Sequence, residues 1–107
     1  MTTFDDREKA HENKFARDQE MSFRITARRN KLVGKWAAAR MGLTPEETDS
    51  YAKSVVQADF EEVGDEDVIR KILGDLTSAQ VETSDEEIRK VLSDMSAEAR
   101  RQLMESM

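Results

Sequence analysis

Few residues in this chain belong to the types that bind metal ions or transfer protons. It has one histidine, His11, and no cysteine. A structural zinc site needs about four ligands that converge on one point. Glu8 and Glu12 lie near His11 in the sequence but supply no convergent set of ligands. We therefore expect no metal site, and we interpret His11 as an exposed helix residue or as a contact in a binding surface.

Two other stretches lack the spacing of known ligand-binding loops. Gly34-Lys35-Trp36 falls inside a predicted helix and does not have the pattern of a phosphate-binding loop. Residues 61–67 are acidic but lack the alternating ligands of an EF-hand. We also find no nucleophile paired with a base, and a thin helical core leaves little room for an enclosed pocket. We predict no catalytic residue and no cofactor, and therefore a binding protein rather than an enzyme.

The composition indicates one small domain with a thin core. The chain has 107 residues, of which 37% are hydrophobic and 37% are charged. No apolar run approaches the roughly 20 residues of a membrane-spanning helix. The first residues, Met1–Asp6, lack the basic and apolar regions of a signal peptide. We expect a cytoplasmic protein that does not insert into the membrane.

Charge is distributed unevenly along the chain. Residues 1–42 contain ten Lys and Arg against six Asp and Glu, whereas residues 43–107 contain seven against seventeen. The two parts either have different tasks or pair with each other in the folded protein. Residues 24–40 are basic, but the overall pI near 4.9 and the apolar stripe of this helix argue against nucleic-acid binding.

The hydrophobic pattern predicts an all-α protein, a four-helix bundle preceded by a mobile N-terminal helical segment. Apolar residues recur at helical spacing in four stretches after residue 20. The first of them carries a stripe of Met21, Ile25, Leu32 and Trp36, widened by Val33 and Ala37. The others have the apolar sets 51–60, 68–76 and 88–103. Short loops between such helices favour antiparallel neighbours and a closed bundle.

Helix ends are marked by local signals. Thr44-Pro45-Glu46-Glu47 predicts a capping box with proline in the first turn, and Ser84-Asp85-Glu86-Glu87 predicts a second box. Gly42 suits the residue after a helix end. Residues 65–67 place three acids at a helix start, where they complement the helix dipole. We expect a polar connector at residues 77–83.

The N-terminal segment, residues 1–19, does not obviously belong to the core formed by residues 20–107. Phe4, His11 and Phe15 share one helical face, and the remaining residues are polar, charged or small. A helix of this length is marginal in water, so we expect it to order on a partner. It either continues into the next helix or meets it at a soft joint near Asp18–Ser22. The pattern favours recognition of a helix in the groove of a partner.

Several long strings in the sequence are unusual, and they lie at Phe4–Ala16, Ala27–Leu32, Gly34–Ala38, Tyr51-Ala52, Val55-Val56, Ala58–Phe60 and Gly64–Val68. These strings resemble the ζ subunit of the α-proteobacterial F-type ATP synthase. The resemblance covers nearly the whole chain and weakens after about residue 80.

The resemblance implies an inhibitor that blocks ATP hydrolysis and leaves synthesis largely free. Its N-terminal helix would wedge into a catalytic α/β interface and contact the γ stalk, so the partners would be the α, β and γ subunits of the catalytic head. The protein would then lie at the cytoplasmic face of the inner membrane through the ATP synthase. The partner-binding residues would be Phe4, Asp5, Asp6, Arg7, Glu8, Lys9, His11, Glu12, Lys14, Phe15 and Arg17.

Two alternatives remain open. In the first, the bundle is a regulatory module that binds an adenine nucleotide weakly, in a cavity among Trp36, Tyr51, Arg29 and Arg40. In the second, the protein is an assembly factor of the same complex, and residues 1–19 are dispensable.

Overall fold

The computed structural model describes residues 3–59 and 64–106, with side chains from residue 18 onward. Within these residues the chain forms four α-helices and no strand. The helices are α1 (Thr3–Met41), α2 (Pro45–Ala58), α3 (Glu66–Ser78) and α4 (Asp85–Glu105). The all-α prediction with four helices is confirmed.

The start of α2 is the one that the sequence predicts in full. Thr44 Oγ1 accepts a hydrogen bond from the Glu47 backbone N–H, and the Glu47 carboxylate accepts one from the Thr44 N–H. Pro45 occupies the first helical position. The Thr44 hydrogen bonds lower the pKa of Glu47, the backbone one most. At the other end, α2 stops at Ala58, and Phe60 lies outside the described residues.

The start of α4 forms only half of its predicted capping box. Ser84 Oγ accepts a hydrogen bond from the Glu87 N–H, as expected. The Glu87 carboxylate instead accepts hydrogen bonds from Arg40 and Thr83. A charged partner on α1 competes successfully with the neutral backbone N–H because hydrogen bonds between two charged groups are stronger. The preceding connector is also shorter than predicted, since α3 continues to Ser78.

The first helix is continuous from Thr3 to Met41, without interruption at residues 18–22. Its 39 residues correspond to a length of about 58 Å, against about 32 Å for the 21 residues of α4. The long axis of the molecule is 65 Å, and the other two are 26 and 21 Å. The length of α1 therefore sets the long axis of the molecule.

Both α2 and α4 run antiparallel to α1. Gly42, with φ of +72°, turns the chain from α1 towards α2 in the left-handed conformation that favours glycine. Arg40 near the end of α1 contacts Glu87 near the start of α4, and Arg28 contacts Gln102 near its end. α4 thus lies along the C-terminal two thirds of α1.

The core contains residues from all four helices, namely Val33, Ala37, Val55, Val68, Ile69, Ile72, Leu76, Ile88 and Leu92. On α1 the centre of the buried face is Val33, Ala37 and Ala38, whereas Leu32 and Trp36 are half-buried. The predicted stripe is therefore shifted around the helix. Small residues take the centre because α1 and α2 approach closely, and a Cβ on Gly34 would lie 2.8 Å from the Ala52 Cα.

Candidate partner-binding site

The residues predicted to bind a partner all lie in the first turns of α1. Their backbone belongs to the helix Thr3–Met41, but their side chains lie outside the described residues. This applies to Phe4, Asp5, Asp6, Arg7, Glu8, Lys9, His11, Glu12, Lys14, Phe15 and Arg17. That they form one contact surface therefore stays a prediction.

A groove between α1 and α4 lies where the described side chains of α1 begin. It has a volume of about 340 Å³ and is lined by Asp18, Met21, Ser22, Ile25, Arg100 and Met104. Met104 is 62% exposed, and methionine side chains adapt readily to the shape of a partner. The sequence pattern did not indicate this groove, because the apolar set predicted for the last helix ends at residue 103 and does not include Met104.

A buried polar cluster fixes the middle of α1. Arg29 is only 8% exposed and donates hydrogen bonds of 3.1 and 2.9 Å to Asn30 Oδ1. It also donates one of 2.9 Å to Asp65, the residue before α3. Asp65 was predicted to complement the α3 dipole, but its side chain makes no capping hydrogen bond. The pair with Arg29 explains this, since neutralising a buried guanidinium outweighs a cap.

A second cluster joins the end of α1 to the start of α4. The Arg40 guanidinium lies 5.3 Å from the centre of the Trp36 ring, a cation–π distance. It also donates hydrogen bonds of 2.9 Å to Glu87 and to the Glu82 carbonyl. The contacts hold Arg40 in one orientation on the surface of the bundle.

A third cluster lies between α2 and α3. The Tyr51 hydroxyl donates a 2.8 Å hydrogen bond to Asp75, which also accepts one of 3.0 Å from Lys71. The Lys71 ammonium lies 5.2 Å from the centre of the Tyr51 ring. Burial, and then the Asp75 hydrogen bond and charge, raise the pKa of Tyr51 far above its usual range. Tyr51 therefore stays protonated at any physiological pH.

These three clusters bear on the predicted nucleotide cavity. The structure brings Trp36 and Arg40 together, but Arg29 and Tyr51 belong to separate clusters with their own carboxylates. Phosphate groups at Arg29 or Arg40 would have to displace Asp65 or Glu87. The four residues do not form the single cavity predicted from the sequence.

A different groove, between α1 and α2, has the size of a ligand site. Its volume is about 470 Å³, and it is lined by Lys31, Asp49, Ala52, Lys53, Val56 and Gln57. Small-molecule sites commonly have volumes of ~300–1,000 Å³. Two ammonium groups at its rim suit an anionic ligand, although the groove is open rather than enclosed.

Within residues 18–59 and 64–106, no group of three or more His, Cys, Asp or Glu side chains could hold a metal ion. No helix in the same part is long and apolar enough to cross a membrane.

Comparison with known families assigns the chain. The family model of ATPase inhibitor subunit zeta matches residues 1–102, nearly the full length. The chain belongs to this family. The match includes residues 1–19 and most of the sequence that follows them.

A solved structure supports the fold of this zeta family member. A protein studied by solution NMR is 45% identical in sequence and superposes with a TM-score of 0.73. The similarity covers 81% of this chain and 99% of that chain. A search of curated protein sequences finds no match.

Proposed function

We propose that the chain inhibits ATP hydrolysis by an F-type ATP synthase. Residues 1–19 form the inhibitory segment, and residues 20–107 form the bundle that holds it. The observation that carries the proposal is the family match over residues 1–102. The partners would be the α, β and γ subunits of the catalytic head, so the protein would act at the cytoplasmic face of the inner membrane.

In the proposed mechanism, the segment enters an open catalytic α/β interface and is held there as the interface closes. Rotation in the direction of hydrolysis tightens the grip, and rotation in the direction of synthesis ejects the segment. Ordering residues 1–19 on the partner would consume part of the binding free energy and lower the affinity for a given contact area. An inserted segment of this kind must be attached at one end to a rigid folded body.

The contacts along α1 attach it rigidly to the rest of the bundle. Arg28 donates a 3.1 Å hydrogen bond to Gln102 of α4, Arg29 pairs with Asp65, and Arg40 pairs with Glu87. These contacts, with the close packing of Gly34 on α2, fix the second half of α1 on three other helices. A helix whose nucleus is already formed extends at lower entropic cost than an isolated peptide. The bundle thereby favours the helical backbone that α1 has from Thr3 onward.

The segment carries two kinds of contact residue. Phe4 and Phe15 would be the apolar anchors, because a few buried aromatic residues commonly dominate such interfaces. The basic residues would pair with carboxylates of the partner, the acidic residues would pair with its cations, and His11 would contribute a polar contact. These charged residues are Arg7, Lys9, Lys14, Arg17, Asp5, Asp6, Glu8 and Glu12.

ATP hydrolysis by the cognate purified ATPase, stripped of this chain, tests the proposal. The full chain and a variant without residues 1–19 are added at increasing concentration. We expect only the full chain to inhibit. Equal inhibition by the truncated variant would show that the segment is dispensable, and no inhibition by either would refute the proposed function. Thermal unfolding of both proteins checks that the bundle remains folded.

The groove between α1 and α2 favours one second candidate, a bundle that binds an adenine nucleotide. Lys31 and Lys53 would contact the phosphates, in place of Arg29 and Arg40. NMR titration with ADP tests this candidate, with K53E as the variant that should lose binding. If ADP causes the same chemical-shift changes in K53E as in wild type, the groove is excluded as the nucleotide-binding site. An assembly factor, by contrast, would function without residues 1–19.

A further inference from the structure

One stretch of α1 is basic without any acid. Between Glu20 and Glu46 the sequence contains six Lys and Arg and no Asp or Glu, although the chain as a whole carries 23 acids. Two of the six serve the fold, since Arg29 pairs with Asp65 and Arg40 with Glu87. Of the other four, Arg24 pairs with Glu20 within α1 and Arg28 donates a hydrogen bond to the neutral Gln102, whereas Lys31 and Lys35 have no ion pair within the described residues.

The remaining four residues form what we call the basic stripe, Arg24, Arg28, Lys31 and Lys35. Their spacing of four, three and four places them on one face of the helix, opposite the buried Val33. All four are exposed. The first and the last lie eleven positions apart, so the stripe is about 16 Å long.

The stripe differs from the other basic groups of the bundle. On α3 and α4, Arg70 pairs with Asp67, Lys71 with Asp75, and Arg101 with Glu98, each three or four residues away. These pairs stabilise a helix. Within the stripe, the neighbours at three or four residues are other cations, and such pairs destabilise a helix.

Few groups of the bundle neutralise the stripe. Arg24 pairs with Glu20 at 2.7 Å, and Arg28 donates to Gln102, which is neutral. Lys31 and Lys35 have no ion pair within the described residues. The fold therefore leaves the charges of Arg28, Lys31 and Lys35 without an acidic partner among the described residues, and these charges remain available to a ligand.

We propose that the basic stripe docks against an acidic protein surface next to the site that receives residues 1–19. This inference rests on the proposed function, because it extends the contact of the same partner. The stripe lies on the same helix as the segment and begins about 8 Å after residue 19. A segment inserted into the partner would carry the stripe to the rim of the insertion site.

The dimensions and charge of the chain favour a protein over a polyanion. Proteins that bind nucleic acid neutralise many phosphates and usually carry net positive charge. Here the net charge is −6, and the stripe offers four cations. A short acidic patch on a protein surface matches four cations over about 16 Å, whereas a long polyanion would also meet the acidic faces of the bundle.

Charges at the rim of an interface act chiefly on the rate of association. The experiment therefore measures the association rate of fluorescently labelled chain with the cognate ATPase, together with inhibition, at low and high salt. K31E and K35E are compared with K90E, which makes the same charge change at an exposed residue of α4. Lys90 has no ion pair in the described structure.

At low salt we expect association to slow roughly threefold in K31E or K35E and roughly tenfold in the double variant. The difference should shrink at high salt, because ions screen exposed charges beyond ~10 Å at 0.1 M. K90E should associate at the wild-type rate. The thermal midpoints of all variants are measured to confirm that each is folded.

Other outcomes separate this inference from the proposed function. If wild type and the double variant associate equally fast at low salt while wild type inhibits, the stripe proposal is overturned and the inhibitory role stands. If wild type does not bind the ATPase, both fail. Binding of wild type, but not of the double variant, to duplex DNA or to vesicles of anionic lipid would assign the stripe to a polyanion and also overturn the proposal.

Discussion

The Arg29 guanidinium lies 2.9 Å from the Asp65 carboxylate, and this ion pair joins the middle of α1 to the residue before α3. The guanidinium side is buried, whereas the Asp65 side chain is 48% exposed. Asn30, which is 1% exposed, accepts two further hydrogen bonds from Arg29 through Oδ1. α1 is thereby fixed to α3 about ten residues after the proposed inhibitory segment.

Replacing Asp65 with alanine should destabilise the bundle. The Arg29 charge would remain buried with one neutral acceptor, and breaking a buried pair costs several kcal/mol. Because Asp65 is half exposed, we expect a loss of about 1–2 kcal/mol in the free energy of unfolding. Urea denaturation measures the loss. The control is Glu66→Ala, which removes an exposed partner of Arg89 and should cost less. Equal losses would contradict a special role for the Arg29 pair.

Replacement by alanine at two glycines should change the free energy of unfolding in opposite directions. A Cβ on Gly34 would lie 2.8 Å from the backbone of Ala52, so Gly34→Ala forces α1 and α2 apart and should cost ~1–3 kcal/mol. A Cβ on Gly74 would meet no atom within 4 Å, so Gly74→Ala should stabilise α3 by ~0.5–1 kcal/mol. Thermal and urea unfolding report both changes. A stabilising Gly34→Ala would show that the helices are not closely packed there.

Glu98 should make stability depend on pH in the acid range. Hydrogen bonds from Arg101, and then from Gln102, lower the pKa of Glu98 from 4.5 to about 2. A carboxylate whose pKa is lower in the folded state stabilises above its unfolded pKa, and this stability is lost as pH falls towards the folded pKa. We expect wild type to have a higher thermal midpoint than Glu98→Gln above about pH 4.5, and we expect this difference in midpoint to shrink as the pH falls to about 2.

The measurement for Glu98 is the thermal midpoint of both proteins across this pH range. Glu86→Gln is the control, because Glu86 is an exposed acid of α4 without an ion pair in the described structure. A difference for Glu98→Gln that is constant with pH would contradict the effect of the Arg101 pair.

Replacing Phe15 with alanine should weaken inhibition. Truncating a buried aromatic anchor to alanine costs on the order of 2 kcal/mol, which is roughly a 30-fold higher inhibitory constant. The measurement is ATP hydrolysis at increasing inhibitor concentration. Phe23→Ala makes the same truncation on the same helix, beyond residue 19, and should have a smaller effect. An unchanged constant for Phe15→Ala would remove Phe15 from the interface.

Local chemistry made much of the fold predictable. Thr44, Pro45 and Glu47 act on the backbone within three residues, so the start of α2 follows from the sequence. The helical class follows from apolar residues at helical spacing in all four stretches. The predictions that were wrong involve residues distant in sequence. The Glu87 carboxylate, for example, accepts a hydrogen bond from Arg40 instead of capping its own helix.

Some features of the candidate site could likewise be predicted from the sequence, and others could not. The aromatic and charged pattern of residues 4–17 is visible in the sequence, as is the acid-free stretch of α1. The groove at Met21 and Met104 is not, because it joins residues more than 80 positions apart. The sequence placed Arg29 and Tyr51 in one nucleotide cavity, yet each pairs with a different aspartate.

The sequence alone determined which segments are helical, where two of them begin, and the family to which the chain belongs. These properties depend on contacts between near neighbours or on long matching strings. Only the tertiary structure decided which face of α1 is buried, which cations are neutralised and which remain exposed in the basic stripe. The reason is physical: charge pairing and close packing depend on distances between helices, and spacing along one helix does not specify those distances.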